Sequence, residues 1–267
     1  MRRLGWIAIV TGVVAVLAVV FLYSPLVIVA AASLSSSEFF EFPPQDLSLA
    51  WFQRLVESES WRNSILVTLL ISALTALLSG VIGTLAGIGI AKASPRIARL
   101  LTVAAGLPLV VPTVVLGIAF YQVALQTGLV GRIEGFVAAN TLMTAPLVTL
   151  LVAAAARGID ERIEFASAAC GANPVTTLWR VLLPMVLPVG LAGTALAFLL
   201  TLDEVVISSF LVGPSVTPVA VKMFGEVQAG ATPLVIAMST LFVLISLAAT
   251  LVLVASRKLG TVTRTGI

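Results

Sequence analysis

Long apolar runs alternate with short polar segments along the whole chain of 267 residues. A helix needs about 20 apolar residues to cross the hydrocarbon core of a bilayer, and six runs have that length. They cover residues 5–34, 64–91, 100–126, 135–156, 185–212 and 233–256. The pattern therefore predicts an all-α membrane protein with six transmembrane helices.

The composition agrees with this prediction. Hydrophobic residues make up 60% of the chain and charged residues 10%, which leaves too little polar surface for a water-soluble globule of this size. The first run resembles a signal peptide, since Arg2 and Arg3 precede it and residues 30–33 are small. It is much longer than the core of a signal peptide, which has about 7 to 15 residues. We interpret it as an uncleaved first span.

The basic residues predict the orientation. With six spans both termini lie on one side, and the segments on that side carry eleven of the fifteen lysines and arginines. The positive-inside rule therefore places both termini in the cytoplasm. These residues are spread between apolar runs and do not form a basic stripe with aromatics, so we expect no nucleic acid partner.

The longest predicted extracytoplasmic segment, residues 35–63, is acidic and aromatic. Its aromatic residues can anchor at the lipid headgroups. They are Phe39, Phe40, Phe42, Trp51, Phe52 and Trp61. Asp46 is predicted to cap a short amphipathic helix that reaches Glu57. We interpret the segment as a lid on the outer surface, and a solvated loop with interfacial anchors fits the same residues.

Spans three to five contain many helix-breaking or closely packing residues. They are Pro108, Pro112, Pro146, Pro184, Pro188, Gly106, Gly117, Gly190 and Gly193. Broken or closely packed membrane helices are tolerated where they line a cavity or meet another helix. This favours a substrate pathway in this half of the chain, although glycine and proline are in any case frequent in membrane helices.

The cytoplasmic loop 157–184 between spans four and five is longer than a plain connection requires. Its first part, residues 161–170, predicts a helix of small residues that ends at Gly171. Asn173 is predicted to cap a second helix opened by Pro174, and Pro184 to mark the return to the membrane. Small side chains allow another protein to approach closely, so we interpret the first helix as a docking surface. Packing against its own bundle is the alternative.

Two sequence stretches of this loop resemble a known family pattern. Glu164-Phe-Ala-Ser-Ala-Ala-Cys-Gly171, followed by Val181-Leu-Leu-Pro184, resembles the EAA loop of binding-protein-dependent ABC importer permeases. Gly171 and Pro184 have the family's separation of thirteen residues. Phe165 stands where the family has its glutamate, and Glu164 lies one residue earlier.

The resemblance extends over nearly the whole chain and is greatest for the polyamine-type branch of spermidine and putrescine permeases. The segments that carry it are Phe42-Pro-Pro, Ser48-Leu-Ala-Trp-Phe, Asn63-Ser64, Leu107-Pro-Leu-Val-Val-Pro-Thr-Val-Val-Leu-Gly117 and Leu202-Asp-Glu-Val-Val-Ile. It implies one transmembrane permease domain over residues 1–267, with the bundle of a type I ABC importer (MetI-like), in the bacterial inner membrane.

The resemblance also implies partners and coupling residues. In such importers the docking helix sits in a groove of the ATPase subunit, and the spans then rock to give alternating access. The implied coupling residues are Glu164, Ala166, Ser167, Ala168, Gly171 and Pro184. The implied partners are a pair of ATP-binding subunits, a second and different permease, an extracytoplasmic solute-binding protein and membrane lipid. The implied cargo is a polyamine or a similar small polar solute.

The sequence contains no phosphate-binding loop of its own, because none of its three lysines follows a glycine. ATP and magnesium are therefore expected on the partner ATPase, and we expect no cofactor here. The chain has no histidine and one cysteine, Cys170, so we expect no metal site. An intramembrane hydrolase is also disfavoured, because no activated nucleophile stands out. We expect a transport subunit without catalytic residues.

Two adjacent acids, Asp203 and Glu204, interrupt the fifth apolar run. An acid at the centre of a membrane helix costs about 2.5 to 3.5 kcal/mol on insertion scales, which suggests a function. A carboxylate on the pathway would attract a cationic substrate, and Thr201 and Ser208 could add hydrogen bonds. Neighbours on a helix point about 100° apart, so only one acid is expected to face the pathway.

Two alternatives to this use of the acids stay open. The acids could lie near the outer end of the span and hold a helix terminus or a subunit contact. They could also serve a secondary ion-coupled or proton-coupled transporter or a channel, because buried acids and helix breaks fit that function equally well. A secondary carrier would not need the docking helix, which favours the importer.

Overall fold

The structure is a computed structural model that describes residues 2–38, 42–230 and 233–262. For residues 2–5, 7, 8 and 249–262 it describes the backbone only. Within these ranges the chain is helical apart from short connections and two isolated β-bridges. The helices are α1 (Arg2–Ala32), α2 (Ala50–Glu57), α3 (Glu59–Lys92), α4 (Pro95–Val110), α5 (Thr113–Thr127), α6 (Ile133–Arg157), α7 (Glu161–Ala169), α8 (Pro174–Thr177), a π-helical turn (Leu178–Leu182), α9 (Leu183–Leu202), α10 (Val206–Leu211), α11 (Val219–Ala229) and α12 (Pro233–Val262).

Four stretches of the described residues are long and apolar enough to cross a membrane. They are Ile9–Ala32, Glu59–Lys92, Ile133–Arg157 and Pro174–Leu202. The pair α4 and α5 passes the same test together, which makes a fifth, and α12 contributes the shorter apolar stretch Pro233–Ala248. The prediction of an all-α membrane protein is confirmed, while the count of six spans stays a prediction.

The third predicted span is not a continuous helix. The sequence predicts a span over 100–126 that carries the helix-breaking residues Pro108 and Pro112, and α4 and α5 are bent by 95° around Val111 and Pro112. Proline disfavours helical geometry in the residue before it, and Val111 is indeed extended, with φ −73° and ψ 133°. Pro112 also lacks the N–H that would continue the helix.

The fifth predicted span, 185–212, has different bounds at both ends. Its helix begins at Pro174 and ends at Leu202, so Pro184 lies inside a continuous helix, and the return to the membrane at Pro184 stays a prediction. In the π-helical turn the Leu183 N–H donates to the Leu178 carbonyl, five residues back. This wider turn accommodates Pro184, which has no N–H to donate, without ending the helix.

The chain divides into two compact units, Met1–Arg62 with Gly225–Ala248 and Asn63–Phe224 with Ala249–Ile267. In the first unit, none of the described apolar side chains between Ile9 and Leu22 is buried within the protein, so α1 presents them outward. Helix α2 buries Trp51 and Leu55 on one face, and the Arg54 guanidinium lies 4.4 Å from the Trp51 ring centroid.

The helix predicted to start at Asp46 begins at Ala50 instead. Its N-cap is Leu49, whose side chain makes no capping hydrogen bond, and the preceding Ser48 Oγ accepts the Ala50 N–H at 3.1 Å. Phe39 and Phe40, two of the predicted interfacial anchors, lie outside the described residues. The interpretation of segment 35–63 as a lid stays a prediction.

In the second unit, α3 and α6 pack side by side in a regular register. Ser79 Oγ lies 2.7 Å from Thr144 Oγ1. A β-carbon added at Gly83 would lie 2.5 Å from Val148 Cβ, and one at Gly87 would lie 2.7 Å from Val152 Cβ. The partners differ by 65 in residue number at all three positions, so the helices run parallel in close contact.

Helix α9 packs against α3 as well as against α6. A β-carbon added at Gly80 would overlap the Thr194 side chain, and one at Gly190 would lie 2.8 Å from Thr84 Oγ1. The residue numbers increase on α3 as they decrease on α9, so these two helices run antiparallel. Small residues allow the three helix backbones to approach closely without a gap.

Candidate functional site

The predicted docking helix forms as α7, Glu161–Ala169, and a side chain caps its first turn. The Asp160 carboxylate accepts the Arg162 N–H at 2.9 Å and so satisfies one of the free donors at the helix start. The predicted range 161–170 is confirmed to within one residue, because Cys170 is the C-cap.

Gly171 ends α7, as predicted, and it does so through left-handed backbone geometry. Its φ is +83°, a backbone angle that residues other than glycine rarely adopt. The Gly171 N–H donates to the Ala168 carbonyl at 2.9 Å, and the Ala172 N–H donates to the Ser167 carbonyl at 3.1 Å. This pair of hydrogen bonds is a Schellman motif, which satisfies the last carbonyls of the helix.

The second loop helix begins as predicted. The Asn173 side chain accepts the Thr176 N–H at 2.8 Å, and Pro174 occupies the first helical position. This helix then continues through the π-helical turn into α9. The loop is therefore joined directly to a candidate membrane-spanning helix.

No residue of α7 is buried in the structure. Phe165, which stands where the family pattern has a glutamate, exposes 71% of its surface. Ala166, Ala168 and Gly171, three predicted coupling residues, are also exposed. Since α7 packs no side chain into the protein, its outer face is available to a partner.

Two other predicted coupling residues contact their own chain. The Glu164 carboxylate forms an ion pair with the Lys92 ammonium at the end of α3. Ser167 Oγ lies 2.9 Å from Thr177 Oγ1 in α8. Pro184, the last of the set, is exposed but lies within the continuous helix, away from α7 in sequence.

Sequence reasoning did not identify Lys92 as a partner of the loop. Its position at the end of an apolar run was visible, yet 72 residues separate it from Glu164, so no local pattern joins them. A cavity of about 810 Å³ lies beside this ion pair. It is bounded by the end of α3, by α7 and α8, and by the π-helical turn.

The two acids of the fifth span occupy different environments. Asp203 is the exposed residue that ends α9. The partly buried Glu204 lies in the break before α10, and its carboxylate accepts the N–H groups of Ile207 at 2.7 Å and Ser208 at 2.8 Å. Glu204 therefore caps α10, where a negative charge is favoured by the helix dipole.

The hydroxyl residues predicted for the pathway are buried. Thr201 Oγ1 donates to the Ala197 carbonyl of its own helix at 2.8 Å. Ser208 is buried in α10, close to Glu204. The structure thus brings Glu204 and Ser208 together and leaves Asp203 exposed at the surface of the unit.

Substituting Glu204 with alanine is expected to destabilise the protein by about 1 kcal/mol, the typical value of a helix cap. The two N–H groups that Glu204 accepts would lose their partner. The measurement is the thermal unfolding temperature in detergent, with Asp203→Ala as the matched control. An equal loss in the two variants would contradict the capping role.

Sequence reasoning also missed a stripe of buried hydroxyls along α3. Ser72, Thr75 and Ser79 are fully buried, and the spacing of three and four residues was a readable signal of one helix face. Of the described side chains, the hydroxyls of Ser72, Thr75 and Thr141 are buried without a hydrogen-bond partner. Thr141 lines an apolar cavity of about 720 Å³ between α3, α4 and α6.

Comparison with known proteins identifies the family. Residues 79–259 match the family described as binding-protein-dependent transport system inner membrane component. The chain is 30% identical to the putrescine transport system permease protein PotI of Escherichia coli strain K12, over 86% of the chain and 84% of that protein. It is 26% identical to the spermidine/putrescine permease protein PotC of Haemophilus influenzae, over 85% of the chain and 88% of that protein.

Solved structures have the same fold. A chain of a bacterial ABC transporter that imports the acidic polysaccharide alginate matches with a TM-score of 0.72 and 15% identity, over 94% of this chain and 96% of that one. A chain of the methionine ABC transporter MetNI matches with a TM-score of 0.64 and 16% identity, over 78% of this chain and 96% of that one. On the family match and these similarities, the chain belongs to the binding-protein-dependent transport system inner membrane components.

Proposed function

We propose that this chain is a permease subunit of an ATP-driven importer and that it couples to a separate ATPase through the loop 157–184. The observation that carries the proposal is α7, a capped helix of this loop with no buried residue. The family consists of inner-membrane transport components, and ATP hydrolysis in such systems belongs to another subunit.

The proposed topology has six spans with both termini in the cytoplasm and a single permease domain over residues 1–267. The spans are α1, α3, the bent pair α4 and α5, α6, the helix Pro174–Leu202, and α12. Segment 35–63 lies outside the membrane in this topology, and α7 lies in the cytoplasm. The distribution of lysine and arginine supports this orientation.

The proposed docking surface is the exposed part of α7 around Phe165, a residue that also lines the cavity between α7 and the end of α3. Phe165 is a large apolar side chain with 71% of its surface exposed, and such residues commonly anchor protein interfaces. Exposed Ala166 and Ala168 on either side would allow close approach of the ATPase. When the pair of ATPase subunits closes with ATP and magnesium bound, it would press on this surface.

The remaining proposed partners are a second, different permease and an extracytoplasmic solute-binding protein. One of the similar solved structures is an alginate transporter in complex with an alginate-bound periplasmic protein. That architecture supports delivery of substrate from outside to the present chain. Membrane lipid is expected to cover the exposed apolar side chains of α1.

The proposed cargo is a polyamine, which several relatives transport according to their names. We assign the attraction of this cation to Asp203, whose carboxylate is exposed, and not to Glu204, whose carboxylate caps α10. Thr201 and Ser208 then support the helix break and do not serve as direct ligands.

The test is uptake of radiolabelled putrescine into proteoliposomes that contain the complete transporter. Uptake is expected to require ATP and the ATPase subunit. Asp203→Asn is expected to raise the KM about tenfold, the loss of one charge-assisted contact worth roughly 1.5 kcal/mol. Glu134→Gln, which removes another exposed acid, is the matched control.

Two results would contradict the proposal. Uptake driven by an ion gradient in the absence of the ATPase would favour a secondary transporter. An unchanged KM in the Asp203→Asn variant would show that this residue does not attract the substrate. It would not contradict the requirement for ATP.

A further inference from the structure

Two side-chain contacts hold α7 to other helices of its own unit. Glu164 pairs with Lys92 at the end of α3, and Ser167 Oγ lies 2.9 Å from Thr177 Oγ1 of α8. Positions 164 and 167 are three residues apart, so their side chains lie on the same face of α7. This inner face is therefore attached at two points, while Phe165, which lines the cavity beside the ion pair, stays 71% exposed.

Packing contributes little to the orientation of α7. None of its residues is buried, and a left-handed turn at Gly171 follows its C-terminal end. The cavity of about 810 Å³ lies between α7 and the end of α3. Since no residue of the helix is buried, the polar contacts of the inner face contribute to its orientation together with the turn at Gly171.

Lys92 is placed to pass a displacement of α7 into the membrane part of the protein. It is the last residue of α3, a helix of 34 residues, which at 1.5 Å per residue is about 50 Å long. The contacts of Gly83 with Val148 and of Gly80 with Thr194 hold α3 tightly to α6 and α9. A force on Lys92 would therefore move α3 together with its neighbours.

We propose that the Lys92–Glu164 ion pair is a coupling strut, in which Glu164 is a positioning residue that acts on α3 and not on the ATPase. This inference rests on the proposed function, because it requires an ATPase that moves α7. The two side chains are 32% and 29% exposed, and pairs of this kind stabilise a fold only weakly. The importance of the pair is the position it gives to α7.

The experiment is a charge-reversal cycle in the complete transporter, reconstituted in proteoliposomes and supplied with radiolabelled putrescine. Its variants are Glu164→Lys, Lys92→Glu and the combination of both. Each single reversal is expected to lower uptake roughly three- to tenfold, a usual range for contacting residues, and to raise the ATP hydrolysed per putrescine. The double variant is expected to recover both values, because it restores an opposite-charge pair.

A second ion pair provides the matched control. Arg132 and Glu134 lie 3.3 Å apart at the start of α6, with side chains 59% and 62% exposed. They are two residues apart in sequence, so their pair joins no separate elements. Reversing either charge is expected to leave the ATP-to-putrescine ratio unchanged. Membrane level and co-purification of the ATPase report on folding and assembly in every variant.

The outcomes separate this inference from the proposed function. If both single reversals are defective and the double variant does not recover, the two residues do not act as a pair and the strut is refuted. Single variants with the wild-type ratio would refute it as well. A wild-type transporter without ATP-dependent uptake would instead overturn the proposed function, and the strut with it.

Discussion

Replacing Gly83 with leucine is expected to prevent assembly of the helical bundle. A β-carbon at this position would lie 2.5 Å from Val148 Cβ and 3.0 Å from the Ala145 carbonyl oxygen, and the rest of the leucine would add to the clash. Overpacking a core costs typically about 1 to 3 kcal/mol. Because one of the atoms in contact belongs to the α6 backbone, a change of side-chain conformation alone would not relieve the overlap. The measurement is the yield of monodisperse, protease-resistant protein in detergent.

Gly89 offers a control on the same helix. It lies six residues further along α3, is exposed, and has no atom within 4 Å of an added β-carbon. Gly89→Leu is therefore expected to accumulate like the wild type, since leucine favours helix formation over glycine. A normal yield of folded Gly83→Leu would contradict the close packing of α3 against α6.

Replacing Gly171 with leucine is expected to abolish coupled transport while the protein still inserts and folds. The backbone φ of +83° costs a residue with a β-carbon about 1 to 2 kcal/mol. No atom lies within 4 Å of an added β-carbon, so the strain does not come from a clash and is relieved by turning α7. The docking surface would then be misplaced. Putrescine uptake, ATPase activity and ATPase co-purification are measured together.

Gly171→Asn is the matched variant for this prediction. Asparagine tolerates the left-handed region better than other residues with a β-carbon, so uptake is expected to fall less than in Gly171→Leu. Normal uptake together with normal ATPase co-purification in the leucine variant would refute the role of this turn in docking.

Features that depend on neighbouring residues were predictable from the sequence. Asn173 and Pro174 start a helix, and Gly171 ends one, because caps and turns are determined by interactions within a few residues. The bounds of α7 were predicted to within one residue from its caps, and those of α6 to within two residues from the length of its apolar run. The loop that carries the candidate docking surface is therefore recognisable from its residues alone.

Features that depend on the geometry of a break were only partly predictable. Pro112 indicated an interruption, but proline alone does not determine that α4 and α5 meet at 95°. Pro184 suggested a second interruption, yet the helix continues past this proline through a π-helical turn. Asp203 and Glu204 were indistinguishable in sequence, and only the position of the α10 N–H groups assigns the capping role to Glu204.

The sequence by itself determined that the chain is helical, that it belongs in a membrane, and where α7, the candidate docking helix, begins and ends. The tertiary structure decided which faces of the helices meet and that Glu164 pairs with Lys92. The physical reason is the solvent. In a bilayer, apolar side chains suit both the lipid and the neighbouring helix, so hydrophobicity does not mark the buried face. Contacts between distant residues, such as Gly83 with Val148, follow from shape, which only the folded chain reveals.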